Sequence, residues 1–378
     1  MTKHAGDQPS RKGNNARIRV ALLFGGQSEE HDVSLRSALT VMGALDPAKY
    51  EVVPIGITRD GNWLRGGDPM RQLTAQSPLF ALEAGQRPQG DEPRGAATSS
   101  ASNEIAPAAG PAVLSGGVDV VFPVLHGPRG EDGTVQGLLE LANLPYVGSG
   151  VLGSAVAMDK AMAKVVLQEA GIAQGPWELV TRAEWQRDPG AVTSRIEARL
   201  GYPCFTKPAN LGSSVGITKV HGPDELAAAM DAAAHLDRRI VVEKGLHARE
   251  LEISVLGNDS PIASLPGEIV PCNEFYDYSA KYVDEGSELI IPADVPGDVV
   301  HCIQDLAIRA FIALDLAGLA RVDFFLERET GELYLNEVNT IPGFTSISMY
   351  PMLWAASGVP LAELVERLIA LAIERHGA

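Results

Sequence analysis

Arg321-Val322-Asp323 and Asn336-Glu337-Val338-Asn339 are the stretch whose reading decides the fold. They are expected to sit on an antiparallel pair, Arg321 to Leu326 and Leu333 to Asn339, joined through Thr330-Gly331. Side chains alternate along a strand, so Arg321 and Asp323 share one face, as do Glu337 and Asn339. If the strands pair at this level, three oxygen ligands and one guanidinium converge. Magnesium takes hard oxygen ligands, usually one or two carboxylates completed by water and phosphate. Asp323, Glu337 and Asn339 suit that need, which points to nucleotide phosphates held through a metal. The same residues also fit a plain Arg–Asp ion pair beside a turn-forming asparagine, so the neighbouring segments have to decide.

Upstream, Tyr202 to Lys207 reads as a strand leading into Gly212-Ser213-Ser214-Val215-Gly216. Glycines let backbone approach a ligand closely, and successive N–H groups, with the hydroxyls of Ser213 and Ser214, make an anion nest. The loop is neither a Walker A loop nor a dinucleotide fingerprint, and a simple turn is the alternative. Lys207 at the strand end and Lys160 on a helix spanning Met158 to Ala170 offer ammonium groups to phosphate, although Lys160 also reads as a solvated lysine. Pro223 to Leu236 is an alanine-rich helix and Ile240 to Lys244 a strand running into Gly245-Leu246. Such a strand-to-linker segment, Glu243-Lys244-Gly245-Leu246, can give backbone hydrogen bonds to an adenine edge, with Glu250 accepting from ribose. Either acid also fits as surface decoration.

Toward the N-terminus, Arg19 to Phe24 is an apolar strand ending at Gly25-Gly26, followed by a helix from Ser34 to Leu45. Val52 to Ile57 and Val118 to Leu125 are further strands, the latter opening into His126-Gly127. Alternation of this kind implies an α/β class with a mainly parallel sheet and ligand loops at strand C-termini. The helix start offers N–H groups to a carboxylate, while Glu30 beside it suits an ammonium. A zwitterion satisfies both. His126 would orient the carboxylate or else be a buried histidine satisfied by backbone. Between these strands, Gln86 to Gly117 is dense in Pro, Gly, Ser and Ala and reads as a flexible surface insertion.

Bulk properties allow such an enzyme. The chain has 378 residues, more than one core usually serves, so two or three domains are expected. A formal charge of −17 argues against a nucleic-acid binder. Cys204, Cys272 and Cys302 lack zinc or redox spacing. No signal peptide and no run of 18 apolar residues appears, so no membrane partner is expected and the cytoplasm is the default compartment. The expected division is an N-terminal extension over 1–18, a substrate-binding domain over 19–150, a central subdomain over 151–248 and a C-terminal part over 249–378. Leu361, Leu364, Val365, Leu368 and Ala372 mark one face of a closing helix.

Taken in order, these segments resemble the D-alanine–D-alanine ligases of the ATP-grasp superfamily. The resemblance runs through Leu23 to Ser34, His126 to Gly137, Pro145 to Gly150, Met158-Asp159-Lys160, Lys207-Pro208 and Gly212 to Gly216. It continues through Phe275 to Tyr282, Arg321-Val322-Asp323 and Asn336 to Thr345. It implies an α/β ATP-grasp architecture: a parallel-sheet domain like the N-terminal domain of biotin carboxylase, then two α+β domains clasping ATP. It also implies phosphorylation of one D-alanine to an acyl phosphate, attack by the amine of a second, and release of ADP and phosphate, for peptidoglycan precursors.

By resemblance, Glu30 binds the first ammonium, aided by the loop around His126, and Lys160, Lys207, Ser213, Ser214 and Lys281 contact phosphates. Glu243, Lys244, Leu246 and Glu250 fall at adenine and ribose. Asp323, Glu337 and Asn339 hold two Mg2+ or Mn2+ ions, with a monovalent cation such as K+ left open. Arg321 and the Gly343 N–H stabilise the tetrahedral intermediate, and Ser348 anchors the second carboxylate. Tyr282, with Ser213 and Glu30, accompanies an amine nucleophile. Ile341 and Phe344 depart from the smaller or more flexible residues of some relatives. A homodimer is implied. Another ATP-grasp ligase would need a different N-terminal pocket, against Glu30, His126 and Tyr282; a non-catalytic nucleotide binder would tolerate loss of Arg321 or a metal ligand.

Overall fold

The computed structural model describes residues 17–77, 79–80, 114, 117–212, 214–271 and 288–377. Ser213, Lys281 and Tyr282, with most of the 1–18 extension and of the 86–117 insertion, lie outside the described residues. The described residues form three sheets.

The first is built from β1 (Ile18–Gly25), β2 (Tyr50–Ile57), β3 (Trp63–Arg65) and β4 (Val120–Pro123), in the order β3-β2-β1-β4. β1 pairs in parallel with β2 and β4, while β3 is antiparallel to β2. Helix α1 (His31–Ala44) crosses from β1 to β2, with α2 (Pro69–Thr74) and α3 (Thr134–Leu141) beyond. A parallel strand is covered on both faces and so reads as an unbroken apolar run; Val20 to Phe24 are all fully buried. Helix α1 begins three residues before the expected Ser34, because the Glu30 carbonyl already accepts Ser34 N–H at 3.0 Å. Ser34 faces inward instead. Its Oγ accepts Gly25 N–H and donates to the Val124 carbonyl, tying together the two strand ends that carry the loops of interest.

Helices α4 (Val151–Met158) and α5 (Lys160–Glu169) lead to the second sheet. This sheet contains β5 (Trp177–Thr181), β6 (Cys204–Pro208), β7 (Thr218–Val220) and β8 (Arg239–Lys244), ordered β5-β8-β6-β7 and antiparallel. Its helices are α6 (Arg182–Arg187), α7 (Pro189–Arg199) and α8 (Pro223–Leu236). The helix expected from Met158 to Ala170 is α5, starting two residues later, with Met158 closing α4. Asp159 leaves helical geometry, caps α5 by accepting Met162 N–H at 3.0 Å, and pairs with Arg239 at the start of β8.

The third sheet runs β12-β11-β9-β13-β14, with β10 on β9. Its strands are β9 (Ala248–Gly257), β10 (Ile262–Ala263), β11 (Gly267–Val270), β12 (Glu288–Ile290), β13 (Gly318–Glu327) and β14 (Leu333–Asn339). Helix α9 (Gly297–Ala313) covers one face. Helices α10 (Met349–Ala356) and α11 (Leu361–Gly377) close the chain. Leu364, Val365, Leu368, Ile369 and Ala372 of α11 are buried with Val20, Leu22 and Phe24 of β1 and with Leu256 and Leu319 of the third sheet. The last helix thereby bonds the first sheet to the third.

Candidate active site

The expected strand pair is present. Arg321 stands opposite Asn339 and Asp323 opposite Glu337, so all four share one face; β9 adds Glu252 opposite Asp323. A register shift follows Asp323, leaving Asn336 opposite the gap, a β-bulge beside the ligand set. The Arg321 guanidinium forks onto both oxygens of Asp323 at 2.7 and 2.8 Å and reaches Glu252 at 3.0 Å. Asn339 Nδ2 donates to Asp323 Oδ2 at 3.0 Å, which turns the amide oxygen to the other side.

Among the described residues no three His, Cys, Asp or Glu side chains gather as a metal cluster. What Asp323, Glu337 and Asn339 offer a cation is two carboxylates and an amide oxygen. Each carboxylate oxygen has two lone pairs, so Asp323 can serve Arg321 and a cation together. Phosphate and water would complete a magnesium shell.

The side facing this strand pair is basic. Lys160 donates its backbone N–H to the Ala209 carbonyl at 2.8 Å and its ammonium to the Leu211 carbonyl at 2.5 Å, which fixes it under the loop. Ser214 and Gly216 have positive φ, 59° and 72°, and the Val215 and Ile217 N–H groups are spent on the Gly212 and Ser214 carbonyls within the loop, so the described backbone reads as tight turns in which the expected anion nest is not formed. Lys207 on β6 meets the Glu243 carboxylate at 2.6 Å, and Lys164 on α5 meets the other oxygen at 3.0 Å. Burial alone would raise Glu243, but the two lysines hold it down to about 2. The Glu243 side chain is thus committed to lysines rather than open to adenine. The next backbone donors are engaged as well, Lys244 N–H by Pro176 and Gly245 N–H by Pro203.

The opposite wall comes from the first sheet. Glu30, buried at the start of α1, is close enough to Gly127 and Gly212 that a Cβ on either would lie 3.4 or 3.8 Å from Oε2. His126 has both ring nitrogens engaged: Nδ1 with the Ile341 carbonyl at 2.9 Å and Nε2 with Ser37 Oγ at 3.2 Å. A carbonyl only accepts, so Nδ1 carries the proton and Nε2 accepts from Ser37. Ser37 Oγ in turn accepts Phe344 N–H at 3.1 Å. Burial lowers the His126 pKa and keeps the ring neutral. A ring bound on both sides is a brace for the loop over 341–344 and has no spare donor for a carboxylate. Glu131 completes the brace, accepting Gly127 N–H at 2.6 Å and Ile341 N–H at 3.1 Å. Burial, and then the Glu30 carboxylate, push Glu131 up to about 8. Past the brace, Gly343 lies against Ser348, so close that a Cβ would stand 2.8 Å from its Oγ. Ser348 Oγ accepts Thr345 N–H at 3.0 Å at the start of α10.

These walls enclose a cavity of about 130 Å³. Glu30, His126, Lys160, Ser214, Arg321, Glu337, Asn339, Gly343 and Ser348 line it. A smaller space of about 10 Å³ adjoins it, lined by Lys160, Lys164, Lys207, Glu243 and Glu337. Asp323 reaches the site through Arg321 and Asn339. Lys244, Leu246 and Glu250 line neither space. Lys164, Ser37, Glu131 and Glu252 were not legible as site residues: a helix lysine and serine read as surface, and an acid in a Gly-rich loop reads as solvated.

Two family models match the chain, one described as "D-ala D-ala ligase N-terminus" over residues 19–149 and one as "D-ala D-ala ligase C-terminus" over 166–370. A D-alanine--D-alanine ligase of Geobacillus thermodenitrificans (strain NG80-2) is 53% identical over 362 residues, 95% of this chain and 96% of the relative. The solved D-alanine-D-alanine ligase of Coxiella burnetii superposes with a TM-score of 0.76 at 37% identity, covering 96% of this chain and 95% of its own. The VanG D-Ala:D-Ser ligase of Enterococcus faecalis gives 0.77 at 34%, covering 94% and 100%. With an ATP-grasp fold, an oxygen-rich strand pair facing a basic loop, and both halves matched along nearly its whole length, the chain belongs to the D-alanine–D-alanine ligase family.

Proposed function

We propose that this cleft joins two D-alanine molecules at the expense of ATP, giving D-alanyl-D-alanine, ADP and phosphate for cell-wall precursors. A free carboxylate is a poor acyl donor until one of its oxygens belongs to a leaving phosphate. The first D-alanine lies with its ammonium at Glu30 and its carboxylate toward Arg321. Lys160, Lys207 and Lys281 neutralise the triphosphate and the 212–216 loop contacts it, while adenine and ribose lie along Lys244 to Glu250, the Glu243 side chain staying with its lysines. Asp323, Glu337 and Asn339 would hold magnesium or manganese, which supplies charge neutralisation at the phosphates. Arg321 and Gly343 N–H face the oxygen that becomes negative when the second amine attacks, where preorganised donors count most. Ser348 and the start of α10 receive the second carboxylate, and Tyr282 with Ser213 and Glu30 favours an amine nucleophile. His126 acts by bracing the loop that carries Gly343.

The observation that carries this reading is the register of Arg321 with Asn339 and of Asp323 with Glu337, on a face whose cavity also holds Glu30 and Ser348. The test is phosphate release with ATP, magnesium and D-alanine or L-alanine, the product identified by mass, with D-serine or D-lactate as competing second substrates. D-alanine alone is expected to support turnover, and Glu337→Gln to suppress it by a hundredfold or more, on the order of an interaction lost from the transition state. Full turnover of Glu337→Gln with unchanged magnesium dependence would remove its assigned role.

A homodimer is proposed with it. Leu141, Val151 and Leu152 leave apolar surface on α3 and α4, and sedimentation velocity measures the assembly. Among the described residues no helix is long and apolar enough to cross a membrane; use of ATP favours the cytoplasm, to be checked by fractionation.

A further inference from the structure

We infer that Lys164 is a positioning residue for the nucleotide's phosphates: by compensating Glu243 from behind, it lets Lys207 present a net positive charge to them. The inference rests on the proposed role of Lys207 as a phosphate contact. Glu243 sits on β8, diagonal to Lys207 across the β6–β8 pair, where Phe205 stands opposite Glu243 and Lys207 opposite Val241. With Lys207 as its sole partner, Glu243 would make a neutral buried pair, which exerts little pull on a phosphate. Lys164 changes the sum. Its ammonium takes Oε1 at 3.0 Å while Lys207 takes Oε2 at 2.6 Å, so each cation has one carboxylate oxygen. The triad carries a net charge of one, by two lysines against one glutamate.

All three groups are buried, at 4% exposure for Lys164, 9% for Lys207 and 8% for Glu243. Buried ion pairs are poor contributors to stability compared with apolar packing, so a third buried charge is a candidate for function. The direction of the field also fits. Lys164 and Lys207 line one small space together with Lys160 and Glu337. Lys164 follows Lys160 by one helical turn, so α5 delivers one lysine to the loop and the next to Glu243. When phosphate draws Lys207 away from Oε2, Lys164 remains to hold the Glu243 carboxylate, and no buried acid is left without a counter-charge.

The test is titration calorimetry of the full chain with ADP and magnesium and with adenosine, together with steady-state kinetics. Lys164→Met is expected to weaken ADP about tenfold, the loss of one charge-assisted contact, while adenosine affinity and the KM for D-alanine stay within about twofold. Lys164→Arg should recover most of the loss. The double variant Lys164→Met with Glu243→Gln restores a net charge of one at Lys207, and should recover the ratio of ADP to adenosine affinity. That recovery has no counterpart if Lys164 only packs, and it also serves where the single variant folds poorly. Equal losses for ADP and adenosine, or no recovery in the double variant, would overturn the inference. Lys207→Met separates the two levels: an unchanged ADP-to-adenosine ratio there sinks the phosphate assignment itself.

Discussion

At the scale of single residues, the charges of this site are organised by burial as much as by sequence position. Glu243 is the clearest case. Its folded pKa of about 2 lies below the ordinary 4.5 despite a burial that works the other way, because Lys164 and Lys207 favour its ionised form. An acid whose pKa falls on folding contributes stability above its unfolded value and loses it as the pH drops through the folded one. The contribution is therefore complete above about pH 4.5 and fades toward pH 2. Glu243→Gln removes it and leaves two buried lysines facing an amide, at a cost of about 3 kcal/mol near neutrality. Urea denaturation of both proteins from pH 7 down to the acid limit should show the gap closing as the pH falls. A gap independent of pH would mean that the carboxylate's charge has no part in it.

Elements matter where they carry such residues across the cleft. Helix α1 contributes Ser37, which receives Phe344 N–H and donates to His126, whose other nitrogen donates to the Ile341 carbonyl. The donors and acceptors close in one direction only, so the loop after β14 is held by a chain with no alternative arrangement. Ser37→Ala leaves a buried amide without an acceptor, costing about 1–3 kcal/mol. If this chain aims the Gly343 amide, kcat should fall about tenfold, a modest share of an oxyanion-stabilising donor's effect, with the KM for ATP unmoved. Loss of stability with unchanged kcat would assign Ser37 to folding alone. The alternation of Arg321, Asp323, Glu337 and Asn339 was legible because a strand's period is two and both partners fall within one hairpin. Asp159 was not, because its reason for breaking the helix is Arg239, 80 residues away. Lys164, one turn beyond Lys160, carries the pattern of a solvated helix face, and only the fold brings Glu243 over it.

Across the whole molecule, chain order and spatial order differ, and the site depends on the difference. Parallel strands and their glycine loops were legible in the N-terminal third, yet nothing in the amphipathic pattern of α11 tells which sheet its apolar face covers. It covers two. Leu368 lies in one core with Phe24 and Val120 of the first sheet and with Leu256 and Leu319 of the third, while the second sheet has a separate core around Val180, Ile196 and Val242. The walls bearing Glu30 and Arg321 are then parts of one packed unit, and the second sheet, with Lys207 and the 212–216 loop, closes onto it from outside. Leu368→Ala should cost about 2–5 kcal/mol, the usual range for a buried leucine cut to alanine. Hydrogen exchange followed by mass spectrometry localises that cost. Amides of β1 and β13 should lose protection together and by similar amounts, while those of β8 keep theirs, since local stability follows the packed unit an element belongs to. Loss confined to β1 would show that the third sheet holds its fold without α11, leaving contacts such as His126, Glu131 and the Phe122–Phe344 ring pair to join the two walls of the cleft.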